Sequence, residues 1–178
     1  MDRKRLDRGL VEVYTGDGKG KTTAAVGLGL RAAGHGFRVA MIQFMKGDPE
    51  YGELKALAAV PGFTWRQCGL PTFVKWREPS PVDLRMAEEG LAEASKLLDA
   101  GDADVVILDE ILCAVDYGLF GVDRVLALID RKPPHVELVL TGRGAPAEVI
   151  ARADLVSEVR EVKHPFTGGV AARKGIEY

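Results

Sequence analysis

The chain has few of the residues that mark staples, metal sites and membrane anchors. Its 178 residues include two cysteines and three histidines. Cys68 and Cys113 form neither a C-x-x-C pair nor a zinc-like spacing, so they read as two reduced thiols of a cytoplasmic protein rather than a stapled scaffold. His35, His135 and His164 have no metal spacing and no neighbouring nucleophile, and read as surface or loop residues. No apolar run approaches the roughly 20 residues a membrane span needs. The opening MDRKRLDR lacks the apolar segment of a secretory signal. Charge of either sign is barely in excess, with 24 Lys+Arg against 26 Asp+Glu and a net charge of -2. Aromatics are sparse at 7%, with no stripe interleaved with basic residues. Neither feature points to a nucleic-acid partner.

What is present is an ordinary globular mixture, 47% hydrophobic, of a length that suits one domain over 1–178. Residues 1–8 carry four basic and two acidic side chains and read as a solvated, flexible terminus, or else as a lid over a bound anion. Beyond them, strand-like and helical segments alternate. Strands are expected at 10–15, 37–44, 63–67, 104–110, 136–140 and 155–162. Helices are expected at 22–33, 53–59, 82–100, 122–129 and 147–153. Gly27 and Gly29 fall inside the first helix, where each costs about 1 kcal/mol against alanine, so close packing on a sheet is expected there. Residues 68–81 hold three prolines with Phe73 and Trp76, and read as a long surface loop of the kind that often carries function. The alternation predicts an α/β fold with a mainly parallel sheet covered on both faces.

Three motifs carry chemistry. TGDGKGKTT at 15–23 lies between a strand and a helix and matches the phosphate-loop pattern G-x-x-x-x-G-K-[ST], one residue short. Glycines let backbone N–H groups converge on phosphate oxygens, and the helix points its positive end at the anion. Lys21 neutralises phosphate charge, and the Thr22 hydroxyl is a ligand type suited to Mg²⁺. VVILDE at 105–110 is an apolar strand ending in two acids, Asp109 and Glu110, one of which holds a metal directly or through water. TGR at 141–143 follows another strand, so Arg143 either reaches a phosphate at the strand ends or is a solvated turn residue. Phe63 and Trp65 face one side of their strand, which by itself reads as core packing.

Together these stretches resemble the phosphate-loop corrinoid adenosyltransferases, the ATP:cob(I)alamin or cob(I)yrinic acid a,c-diamide adenosyltransferase family. The resemblance runs through YTGDGKGKTTAA, GHGFRVAMIQFMKG, GFTW, VVILDE, TGRGAP, VKHPF and GIEY. It implies a three-layer, RecA-like phosphate-loop domain. It also implies transfer of the 5′-deoxyadenosyl group of ATP to cobalt in the Co(I) state, with release of triphosphate. By matching position, Gly16, Asp17, Gly18, Lys19, Gly20, Lys21, Thr22, Thr23 and Arg143 hold ATP, laid across the short loop in the reverse of the usual sense. Thr22 and Glu110 hold Mg²⁺, with Asp109 behind them or as an alternate ligand, and Lys21 and Glu110 are the catalytic pair. Phe63 and Trp65 match aromatics that pack on the corrin. A homodimer and an electron donor supplying Co(I) are implied as partners. Rival readings are a kinase or ATPase cleaving at the γ-phosphate and an ATP-switched nucleic-acid module.

Overall fold

The computed structural model describes residues 5–178. Among these residues six strands are threaded with six α-helices, and a 3-10 turn covers Pro165–Gly168. They run β1 Val11–Thr15, α1 Lys21–Gly34, β2 Val39–Phe44, α2 Gly52–Leu57, β3 Phe63–Cys68, α3 Pro81–Ala100 and β4 Val105–Asp109. Then come α4 Ile111–Asp116, α5 Val122–Arg131, β5 Glu137–Thr141, α6 Ala147–Arg152 and β6 Leu155–Glu158. All pairings are parallel, in the order β3-β2-β4-β5-β1-β6. This is the α/β class and parallel sheet that the alternation predicts.

Burial follows strand position. The central strands β2 and β4 are buried at every residue, as a sheet covered on both faces requires. The edge strand β6 is exposed throughout. One core gathers α3, α5 and α4 residues such as Leu91, Leu98, Ile111 and Val125 against one sheet face. A smaller core on the other face joins Ala25 of α1, Leu54 and Leu57 of α2, and Phe63, Met41 and Ile107 of the sheet. These are the three layers. Gly29 meets the expectation of close packing: a Cβ there would lie 2.6 Å from Cε2 of Phe63. Gly27 has nothing within 4 Å and owes its place to no such contact.

Two features set up the cleft. Strand β1 leads leftward along the sheet to β2 and β3, whereas β4 leads rightward to β5, so a crevice opens between oppositely directed crossovers at the C-terminal edge. Helix α3 begins sharply. The Ser80 hydroxyl accepts from Asp83 N–H at 3.2 Å, and Asp83 accepts from Ser80 N–H at 2.9 Å, a reciprocal cap that fixes the end of the 69–80 loop. Helix α4 is the element that periodicity misses, because ILCAVD reads as more of the apolar strand before it. Residues 5–8 lie at the opposite rim of the sheet, with Arg5 Nη1 3.0 Å from His135 Nε2 and Arg8 3.8 Å from Asp154. Residues 1–4 of this segment, read as a solvated terminus or else a lid, fall outside the described residues.

Candidate active site

The C-terminal edge of the sheet holds a cleft of about 820 Å³. Its floor is the loop between β1 and α1. Gly16 (φ 96) and Gly20 (φ 125) adopt left-handed conformations that an L side chain resists. A Cβ on Gly16 would sit 2.5 Å from the Val159 carbonyl oxygen. Gly18 N–H donates to that same oxygen at 2.7 Å, so β6 and the residue after it hold the loop, and this N–H is committed to protein. Helix α1 starts with no side-chain cap, which leaves its first N–H groups free for an anion. The buried Lys21 ammonium donates to Gly16 O at 2.7 Å and Gly18 O at 2.8 Å, tying the loop to the start of α1. Burial depresses its pKa, a shift that Arg143 reinforces and Glu110 opposes. Asp17, Lys19, Gly20, Thr22 and Thr23 also border the cleft.

Beside the loop stands an acid held by four donors. Asp109 is fully buried. Its Oδ1 accepts from Thr22 Oγ1 at 2.8 Å and Thr141 Oγ1 at 2.7 Å. Its Oδ2 accepts from Lys46 Nζ at 2.8 Å and Gln43 Nε2 at 3.1 Å. Burial alone would raise its pKa, but Lys46 and the hydroxyls outweigh that and hold it below the usual carboxylate range. Burial likewise pulls the Lys46 ammonium down, and Asp109 and Glu110 more than offset it. With four donors engaged, Asp109 stands behind Thr22 and does not itself border the cleft. It orients Thr22 from behind.

Glu110 faces the cleft instead. It sits in the left-handed region at φ 61, a conformation costing a non-glycine residue on the order of 1 kcal/mol. Its N–H donates to Thr141 Oγ1 at 2.9 Å, and that hydroxyl in turn donates to Asp109. The end of β5 therefore aims Glu110 into the cleft. Gly142 (φ 144) lets β5 and α4 touch, since a Cβ there would be 2.7 Å from Cys113 N. This contact puts Arg143 N–H 3.1 Å from Cys113 Sγ and the Arg143 side chain on the cleft wall. Cys113 is buried, and burial followed by Glu110 pushes its thiol up to about 12. It is protonated at neutral pH and a poor nucleophile.

Phe63 and Trp65 are not here. Phe63 starts β3, paired with Val39 at the start of β2, about five residues or roughly 17 Å from the C-terminal edge. It is 5% exposed, with its ring against Gly29 and Ile107. Trp65 is half-buried against the same core. Both are packing residues in this fold, as the strand pattern alone indicates and the matched motif does not. The cleft is bordered by Tyr51, Tyr117 and Tyr178 and, on the 69–80 loop, by Phe73 and Trp76. Phe73 is fully exposed, and Trp76 is 58% exposed. Trp76 Nε1–H donates to Asp116 Oδ2 at 3.3 Å, and the Arg77 guanidinium lies 5.0 Å from the Trp76 ring centroid. The signal was in the sequence: two aromatics in a proline-rich loop with no core periodicity to absorb them. His164 also borders the cleft, and so do residues 175–178, tied to the loop by Lys19 Nζ donating to Ile176 O at 3.1 Å.

The model of the ATP:corrinoid adenosyltransferase BtuR/CobO/CobP family matches residues 7–178. The chain belongs to that family. It is 37% identical to a corrinoid adenosyltransferase of Pseudomonas aeruginosa, covering 98% of this chain and 86% of the relative. It is also 37% identical to a corrinoid adenosyltransferase of Escherichia coli K12, over 97% of this chain and 87% of the relative. A third relative, Corrinoid adenosyltransferase CobA of Salmonella typhimurium, is 35% identical over the same shares. Among the described residues, no helix is long and apolar enough to cross a membrane. Nor does any group of three or more His, Cys, Asp or Glu form a metal cage among them.

Proposed function

We propose that this chain transfers the 5′-deoxyadenosyl group of ATP to the Co(I) centre of a reduced corrinoid and releases triphosphate. The observation that carries the reading is one cleft that joins a phosphate-cradling loop to exposed aromatics, where the thiol on its wall, Cys113, is buried and held protonated. Co(I) supplies the electron pair of the new cobalt–carbon bond. The C5′–oxygen bond breaks, and its electrons leave on the triphosphate, so no proton transfer is needed. The protein's task is then to position C5′ near cobalt and to neutralise the leaving group.

The uncapped start of α1, Lys21 and Arg143 hold the triphosphate, and Gly16 to Thr23 line its bed. Nucleotide laid in the reverse sense presents C5′ toward the aromatic end of the cleft. Phe73 and Trp76 take the corrin face in place of Phe63 and Trp65. Their exposed rings offer a flat apolar surface, and the cap on α3 and the Asp116 contact anchor the loop beneath them. The donor set fits Mg²⁺. This ion binds through one or two carboxylates plus substrate phosphates rather than in a protein cage, and Thr22 Oγ1 and Glu110 supply oxygens on the same wall. When bound, the ion supplies charge neutralisation at the phosphates. Glu110 and Thr22 hold it, and Asp109 orients Thr22. The family also suggests a homodimer, an external electron donor and a cytoplasmic setting, the last in keeping with two free thiols.

The test is anaerobic mixing of the protein with MgATP and chemically reduced cobalamin. The visible spectrum is expected to move to that of a light-sensitive alkyl-cobalt product, with triphosphate released in equal amount. Persistence of Co(I), or release of ADP or inorganic phosphate instead, overturns the reading.

A further inference from the structure

Lys46 is the cleft residue whose chemistry the motifs leave out. It follows β2 through Met45, which takes a left-handed φ of 58. The loop is then clamped against the end of β3: a Cβ on Gly47 would fall 2.1 Å from the Gly69 carbonyl oxygen. This geometry sends a lysine side chain back to the sheet edge with only 15% of it exposed. Its ammonium lies 2.8 Å from Asp109 Oδ2, 3.4 Å from Thr22 Oγ1 and 5.6 Å from the Tyr51 ring centroid, and it borders the cleft.

Asp109 does not need this lysine to be held in place. Thr22, Thr141 and Gln43 already fix its two oxygens, and Gln43 is itself steadied by Gln67 at 3.2 Å. An ammonium carries three donors, and Asp109 takes one. Thr22 Oγ1 is the next acceptor within reach, at a long 3.4 Å. A donor is left over on a positive charge that stands next to Thr22 and, like Lys21, borders the cleft.

We propose that Lys46 is a triphosphate-binding residue, a second lysine that grips the leaving group from the sheet side while Lys21 grips it from within the loop. The proposal rests on the reading of this cleft as the ATP site. When the C5′–oxygen bond breaks, the triphosphate gains one more negative charge than it carried as part of ATP. A desolvated ammonium already fixed on Asp109 meets that charge without reorganising. Asp109 thereby does two things: it orients Thr22 and it restrains Lys46, competing with the phosphate for its protons.

The competition gives the test. Binding of inorganic triphosphate is measured by calorimetry in excess EDTA, so that no metal contributes, on four variants. Lys46→Met is expected to bind about tenfold or more weaker than the unmodified protein, the loss of one charge-assisted contact. Lys46→Arg is expected to keep most of the affinity. Asp109→Asn, which frees the ammonium from its carboxylate, is expected to bind at least as tightly as the unmodified protein. The double variant Lys46→Met/Asp109→Asn contains no unpaired charge and is the safeguard against misfolding. It is expected to stay at the weak level of Lys46→Met. If the double variant recovers full affinity, Lys46 is a counter-ion for Asp109 and nothing more, and the proposal falls. If Lys46→Met binds triphosphate unchanged, it also falls, with the adenosyltransferase reading intact. If the unmodified protein binds triphosphate neither in EDTA nor with Mg²⁺ present, the reading of this cleft as the ATP site fails and takes this proposal with it; if it binds only with Mg²⁺, that reading stands and this proposal falls.

Discussion

Replacing Phe63 by alanine is expected to damage the fold and spare the corrinoid step, and replacing Phe73 by alanine is expected to do the reverse. Phe63 is 5% exposed, and its ring lies within contact of the Gly29 backbone and the Ile107 side chain. Helix α1 approaches the sheet closely because Gly29 has no side chain, so little can move in to fill the space left by the ring. Truncating a buried phenylalanine costs about 3–5 kcal/mol. A chain of this size loses roughly 2–4 °C of melting temperature per kcal/mol, so Phe63→Ala is expected to melt roughly 6–20 °C lower. Phe73 is fully exposed, and its truncation is expected to change stability by less than about 0.5 kcal/mol. Thermal unfolding of both variants is compared with adenosyl transfer at a temperature where both are folded, varying ATP and reduced cobalamin separately. Phe73→Ala is expected to raise KM for the corrinoid or slow transfer, with KM for ATP unchanged. Phe63→Ala should keep both constants near those of the unmodified protein. The opposite pattern, a stable Phe63→Ala with an impaired corrinoid step, would refute the placement of these aromatics.

Lys21→Ala is expected to abolish transfer while leaving far-UV circular dichroism unchanged, because the ammonium's hydrogen-bond partners are two loop carbonyls that water can serve. Gly142→Ala forces a Cβ to within 2.7 Å of Cys113 N at a φ of 144. It is expected to cost about 1–3 kcal/mol in denaturant unfolding and to weaken ATP binding by displacing Arg143. Glu137 is raised from its ordinary 4.5 to about 7, by burial first and then by its hydrogen bond with Glu12. The fold favours the protonated acid, so this contribution is complete below about 4.5 and is lost as pH rises through about 7. After discounting for solvent screening, Glu137→Gln is expected to gain about 1–2 kcal/mol over the unmodified protein at pH 8 and nothing at pH 4. A gain that is equal at both pH values would count against the Glu12–Glu137 pairing.

The sheet was legible because its strands are nearly continuous apolar runs separated by turn residues, and because β1 and β4 end in residue types that only a ligand explains. Helix α4 was not legible, since its six residues prolong the apolar run of β4 and the break between them is a single left-handed glutamate. Lys46 was also hidden. Nothing in MKGD marks a lysine as special until the parallel pairing of β2 with β4 sets Gln43 beside Asp109 and carries Lys46 to the same carboxylate. Phe63 and Trp65 show the opposite failure. A short matched string placed them at the corrin, although spacing alone, two aromatics on one side of a strand, had assigned them to the core. Strand position supports the core reading, because in a parallel sheet the C-terminal ends face the cleft.

The same topology bears on why the loop is short. Its spacing leaves one residue fewer than usual between Gly16 and Gly20, and β6 takes one of its N–H groups through Val159. Fewer backbone donors then surround the middle of the bound triphosphate, and more of the neutralising charge has to come from side chains at the rim. Lys21, Lys46 and Arg143 stand at three different edges of the cleft, on α1, after β2 and after β5. A kinase needs its cations concentrated on one phosphorus, where the bond breaks. An enzyme that expels the whole triphosphate needs them spread along its length. The distribution of cations around this loop, Lys19 included, is in keeping with the second demand and with a bond broken at the carbon end of the chain of phosphates.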